Sequence, residues 1–182
     1  MAQLLAGGHF QPAEQGGRRV EDLAFYAGEA IVRPATATLD ATTPLLRRLE
    51  VAAGQSLRDK LTLSEPLAVG SAVVTGAGEL PAKLLVHAIV SSATERVTRE
   101  GVRRALRSAL ERVLSWQIAE IAIPPLGLGA GNLDIDESAE LMADELARHL
   151  ATAAFPKRVT LFAETPDEAL VLESAIARRV EA

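Results

Sequence analysis

The sequence predicts an α/β fold: a three-layer α/β/α arrangement with a mixed, mostly parallel central sheet. Two observations lead there. Short apolar or β-branched runs at 30–32, 72–75, 84–90, 118–123 and 159–163 alternate with segments of helical periodicity. The chain has 182 residues, 48 % hydrophobic and 24 % charged, which is the size and balance of one domain able to bury a core without staples.

Each element has its own local reason. Residues 1–19 are rich in Gly, Gln and Pro and read as an N-terminal arm or a short edge strand plus loop; residues 20–182 form the domain proper. The run Ala30–Val32 is a strand, closed by Pro34. Thr43 and Pro44 open a helix as N-cap and first helical residue; Leu45, Leu46, Leu49 and Ala53 share its apolar face, and Gly54 ends it. The segments Ala72–Thr75 and Leu84–Val90 are strands around Gly76-Ala77-Gly78. From Thr98 to Trp116, Val102, Leu106, Ala109, Leu110 and Val113 recur at helical spacing, and Arg103, Arg104 and Arg107 give the helix a solvated basic face. Ile118–Ile123 is a strand with Glu120 as its one charge. Glu137–Ala154 is a helix, with Asp136 as its N-cap and Asp134 and Glu137 complementing the dipole. After the last strand, Val159–Ala163, the pair Thr165 and Glu168 reads as the capping box of a closing helix that runs to about Val180.

Composition excludes several function classes. The chain has no cysteine, so a disulfide framework, a thiolate nucleophile and cysteine-based metal sites are ruled out. His9, His87 and His149 are scattered without metal-ligand spacing, and no metal or cofactor is expected. Net charge is −5 and aromatics are 3 %, which disfavours nucleic acid. No apolar run approaches the roughly 20 residues of a membrane span. Met1 to Arg19 lacks a basic stretch ahead of an apolar one, so the expected location is the cytoplasm. A homo-oligomer is left open.

One segment carries chemistry. The strand Ile121–Ile123 runs through Pro124 and Pro125 into Leu126-Gly127-Leu128-Gly129-Ala130-Gly131-Asn132, and a helix follows. Alternating glycines let the backbone take φ > 0 and let a ligand approach main-chain amides closely. Successive amides in such a turn form a concave anion nest, and a following helix N-terminus adds partial positive charge. The spacing is neither the dinucleotide fingerprint nor a Walker loop.

That segment resembles the second ligand loop of macro domains, the α/β family that binds ADP-ribose. Gly70-Ser71-Ala72-Val73-Val74-Thr75-Gly76, followed by Leu80-Pro81-Ala82-Lys83 and a strand holding His87, is similar to the family's central segment. Glu29-Ala30-Ile31-Val32 resembles its first core strand. The resemblance implies ADP-ribose or a related ADP-like ligand. Asp22 would accept from the adenine amino group, as an acceptor-only carboxylate can. The diphosphate would lie on the backbone of Gly127, Leu128, Gly129, Ala130 and Gly131, with Asn132 adding a side-chain bond and Phe162 stacking on the base. His87 reads as a hydrogen-bonded core histidine.

The first ligand loop departs from the family pattern. Where the family has Asn-Ala-Ala-Asn and a Gly-rich run, this chain reads Arg33-Pro34-Ala35-Thr36 and then Ala41-Thr42-Thr43-Pro44. Arg33 and Thr36 replace the asparagines, and Thr42 and Thr43 stand where glycines would be. The resemblance therefore implies binding without hydrolysis by the usual residues, and no catalytic residue is assigned. Two alternatives stay open: an ADP-ribosyl hydrolase using Arg33 or the Thr36–Thr43 stretch, and a pseudo-domain serving as an interaction or assembly module.

Overall fold

A computed structural model describes residues 2–5, 9–12, 22–55 and 65–180. Strands β1 (Ala2–Leu5) and β2 (His9–Pro12) are followed by a single 3-10 turn, Leu23–Phe25. Then come β3 (Ala30–Thr36), α1 (Pro44–Ala53), β4 (Ala72–Gly76), β5 (Leu84–Ser91) and α2 (Arg99–Ser115). The chain closes with β6 (Glu120–Ile123), α3 (Ile135–Leu150), β7 (Arg158–Leu161) and α4 (Pro166–Val180). The N-terminal arm or edge strand expected at 1–19 is described only at 2–5 and 9–12, where it makes two antiparallel strands; its other residues lie outside the described ones.

The strands form one sheet in the order β2-β1-β7-β6-β3-β5-β4. The inner strands β7, β6, β3 and β5 are parallel, while β1 joins β7 and β4 joins β5 antiparallel. Side chains alternate across the sheet with period two. Ile31, Leu85 and Ala122 therefore face one way, onto Leu45, Leu46, Leu49 and Ala53 of α1. Ala30, Val32, Val86, Ile121 and Ile123 face the other way, onto apolar stripes of α2, α3 and α4 such as Val102, Leu106, Leu141, Leu146 and Ile176. This is the expected three-layer arrangement, and the loops beyond the carboxyl ends of the parallel strands lie where such sheets hold ligands.

Several boundaries shift for identifiable reasons. Helix α3 starts at Ile135, and its N-cap is Asp134, not Asp136. Asp134 Oδ1 accepts from Glu137 N at 2.8 Å, and Glu137 Oε2 accepts from Asp134 N at 3.2 Å. Leu133 is drawn into the core, its amide bonding Gly127 O at 3.1 Å, so the turn closes one residue later at Asp134. The helix ends at Leu150, short of Ala154. Strand β7 stops at Leu161, leaving Phe162 and Ala163 just beyond it. Thr165 Oγ1 accepts from Glu168 N at 3.2 Å as a cap, but Glu168 Oε2 reaches back to Glu164 N at 2.9 Å.

Candidate functional site

Strand β6 delivers the glycine loop to the end of the sheet, and Ser138 of α3 fixes it by donating to Leu126 O at 2.7 Å. All three glycines take positive φ: 82° at Gly127, 140° at Gly129 and 74° at Gly131. Their roles differ. A Cβ on Gly127 would lie 2.8 Å from Val102 Cγ2, so that glycine serves packing against α2. A Cβ on Gly129 would lie 2.8 Å from Asn132 Nδ2 and 3.8 Å from Thr42 O, which places the first loop directly across from it. A Cβ on Gly131 would meet nothing within 4 Å. The loop is held by Asn132 N donating to Gly129 O at 3.0 Å, and Leu128 bridges to Leu133. Among the described residues, the amides of Ala130 and Gly131 donate to no protein group, and residues 129–132 are exposed. The exposed part of the loop is thus its second half, residues 129–132.

A cavity of about 170 Å³ opens beside the 3-10 turn, lined by Asp22, Leu23, Leu45, Arg48, Phe162, Ala163 and Glu164. The structure therefore brings together Asp22 and Phe162, which lie far apart in the chain. Asp22 caps the 3-10 turn, its Oδ1 accepting from Ala24 N at 3.2 Å. Phe162 is tethered by its amide to Ile123 O at 2.9 Å; it is 6 % exposed, belongs to the core cluster under α1 and lines the cavity. Arg48 and Glu164 complete the rim, with Arg48 Nη2 donating to Glu164 Oε1 at 2.7 Å. That hydrogen bond raises the Arg48 pKa. Sequence reasoning missed both residues. Arg48 looks like any exposed helix position until the fold sets it opposite a residue 116 positions away.

The first loop is closed by its own side chains. Arg33 points into the sheet face under α1 and is 1 % exposed. It donates to His87 Nδ1 at 2.9 Å, to Glu50 Oε1 at 2.6 Å and to Leu39 O at 2.5 Å. Arg33 is therefore an interior cation that anchors the loop, not a group in the crevice. Burial lowers its pKa, and the Glu50 carboxylate opposes that shift. Beyond β3 the backbone doubles back at Leu39, with φ 68°, and Ala35 bridges Ala41. Thr36, Thr38 and Asp40 form an exposed cluster in which Asp40 Oδ2 accepts from Thr38 Oγ1 at 2.5 Å and from Thr36 Oγ1 at 3.3 Å. Thr43 does not face the glycine loop; its Oγ1 caps α1 by accepting from Leu46 N at 3.4 Å.

His87 is fully buried, with Nδ1 accepting from Arg33 and Nε2 2.8 Å from Thr75 Oγ1. Nδ1 carries no proton in this arrangement, so the imidazole is neutral. Burial, and secondarily the Arg33 charge, lower its pKa well below the ordinary histidine value. The sign follows. The unfolded chain takes up a proton near pH 6.5 while the folded one does not, so the His87 contribution is complete above that pH and declines below it. Acidifying from pH 7.5 to 5.5 is expected to cost wild type more stability than His87→Gln, by up to about 1.4 kcal/mol per pH unit below 6.5. Urea unfolding of both at several pH values reads this; parallel curves would refute it.

Residues 32–142, more than half of the chain, match the Macro domain family model. The chain belongs to the macro domain family. An uncharacterized protein of Aeropyrum pernix is 28 % identical over 143 residues, covering 78 % of this chain and 75 % of that protein. An uncharacterized protein of Mycobacterium tuberculosis is 26 % identical over 121 residues, 66 % of this chain but 34 % of its own length, so this chain matches about a third of that longer protein. Among solved structures, the Oceanobacillus iheyensis macrodomain with ADP superposes with a TM-score of 0.76 at 19 % identity, over 88 % of this chain and 89 % of that one. The Trypanosoma brucei macrodomain in complex with ADP gives 0.75 at 16 % identity, over 85 % and 66 %.

Within this macro domain, the residues expected from the resemblance fall into two groups: Asp22 and Phe162, which line the cavity, and the loop 127–132, which lies across from Thr42. Arg33 belongs to neither. No group of His, Asp and Glu among the described residues could hold a metal ion, and no described helix is long and apolar enough to cross a membrane.

Proposed function

We propose that this macro domain binds ADP-ribose or a related adenosine diphosphate, with the base in the Asp22–Phe162 cavity and the diphosphate on the amides of Ala130 and Gly131. The observation that carries this reading is the junction of β6 and α3: an exposed loop with positive φ at its glycines, unbonded amides, and open space above Gly131. Solved macrodomains of the same fold hold ADP or ADPR. The reading does not include hydrolysis by the family's asparagines, because Arg33 and Thr36 occupy their places and Arg33 is enclosed.

Titration calorimetry with ADP-ribose and with ADP is the test. Asp22→Ala is expected to weaken both by about tenfold or more, the worth of a hydrogen bond to a carboxylate. Absence of heat for wild type at millimolar ligand refutes the reading.

A second reading, hydrolysis at the distal ribose, is favoured by the Thr36–Thr38–Asp40 cluster, which offers a solvent-exposed carboxylate able to take a proton from water. Turnover of an ADP-ribosylated ester that disappears in Asp40→Asn would support it; an inactive wild type would end it.

A further inference from the structure

The rim of the base cavity places a cation between two carboxylates. Arg48 donates through Nη2 to Glu164 at 2.7 Å, and its Nε lies 3.8 Å from Asp22 Oδ2. All three residues line the cavity. Nη1 has no partner among the described residues, so a guanidinium donor is available at the rim. Glu164 holds the group in place from the bend that precedes α4, across the cavity from α1.

We infer that this acceptor–donor–acceptor rim admits 6-oxopurine diphosphates as well as adenine ones, and that Arg48 is the residue that sets this base specificity. The inference rests on the base site proposed above. Adenine presents an amino donor at position 6 beside an acceptor at N1. Hypoxanthine presents the reverse order, an oxygen acceptor at position 6 beside an N1–H donor. A carboxylate only accepts. With Asp22 alone, the amino group is matched and the 6-oxygen is repelled. A guanidinium beside the carboxylate supplies the missing donor, pairing with N1 of adenine or with O6 of hypoxanthine, while the carboxylate takes N6–H or N1–H. Arginine donating to a purine O6, and carboxylates accepting from base amino groups, are established pairings.

Calorimetry of the full chain with ADP and with inosine 5′-diphosphate (IDP) tests this. Wild type is expected to bind IDP within about tenfold of ADP, one good hydrogen-bond pair of discrimination. Arg48→Ala is expected to weaken both, and IDP at least about tenfold more than ADP, because each base loses one donor but only the 6-oxygen of hypoxanthine is then left facing carboxylates, while the adenine amino group keeps its acceptor. Glu164→Gln, which keeps the cavity volume and loosens Arg48, is expected to fall between them. Wild type preferring ADP by more than about 100-fold overturns the inference without any variant. So does equal weakening of both ligands by Arg48→Ala. Wild type binding neither ligand overturns the base site itself, and the inference with it; ADP binding without IDP binding removes only the inference.

Discussion

Glu50→Ala is expected to cost about 3–5 kcal/mol of folding stability, the range for stranding a buried charge by deleting its partner. The guanidinium of Arg33 is 1 % exposed and has Glu50 as its carboxylate partner at 2.6 Å. Its other acceptors, His87 Nδ1 and Leu39 O, are neutral. Removing Glu50, whose own side chain is 23 % exposed, leaves the buried Arg33 cation between the sheet and α1 without its carboxylate. The companion result is more discriminating. Arg33→Met combined with Glu50→Ala removes both charges and keeps most of the side-chain volume, so it is expected to recover a large part of the loss, as replacing whole buried pairs by apolar groups does elsewhere. Urea unfolding of the single and double variants measures both. A double variant no more stable than Glu50→Ala would show that packing, not charge, dominates at this place.

Gly129→Val is expected to weaken ADP-ribose and ADP binding by about 100-fold or more, equivalent to about 2.7 kcal/mol, while leaving the fold intact. The backbone φ of 140° disfavours any side chain, and the new Cβ would lie 2.8 Å from Asn132 Nδ2 and 3.8 Å from Thr42 O. The branched side chain therefore enters the gap between the two loops, and the local strain costs about 1–3 kcal/mol of stability. Calorimetry together with thermal unfolding separates the two effects. Undiminished binding in a folded Gly129→Val protein would remove the loop from the ligand site.

The fold was legible because its cues are local. Thr43-Pro44 and Gly54 bracket α1 as expected, and the apolar stripe Leu45, Leu46, Leu49 and Ala53 is the buried one. The heptad-like spacing from Val102 to Val113 likewise gave the buried face of α2. The misplaced N-cap at Asp136 shows the limit: two aspartates flank Ile135, and the choice between them depends on Leu133 being pulled into the core, a tertiary contact. Of the candidate site, only the glycine loop is marked by a motif. Glycines at alternate positions announce an open backbone. Nothing in the sequence around Arg48 or Glu50 distinguishes them from the other charged residues of an amphipathic helix. Their roles come from strand order, which sets Glu164 across from one and Arg33 beneath the other.

The placement of Arg33 also bears on any attempt to transplant loops between members of the family. Its guanidinium ties β3, the bend at Leu39, the histidine of β5 and the acid of α1 into one ensemble. Installing asparagine at position 33 alone would deprive Leu39 O and His87 Nδ1 of their donor and leave Glu50 without its counterion. A chimera that imports a glycine-rich first loop would therefore have to exchange positions 33, 39, 50 and 87 together, treating the loop's shape as a property of the interior beneath it.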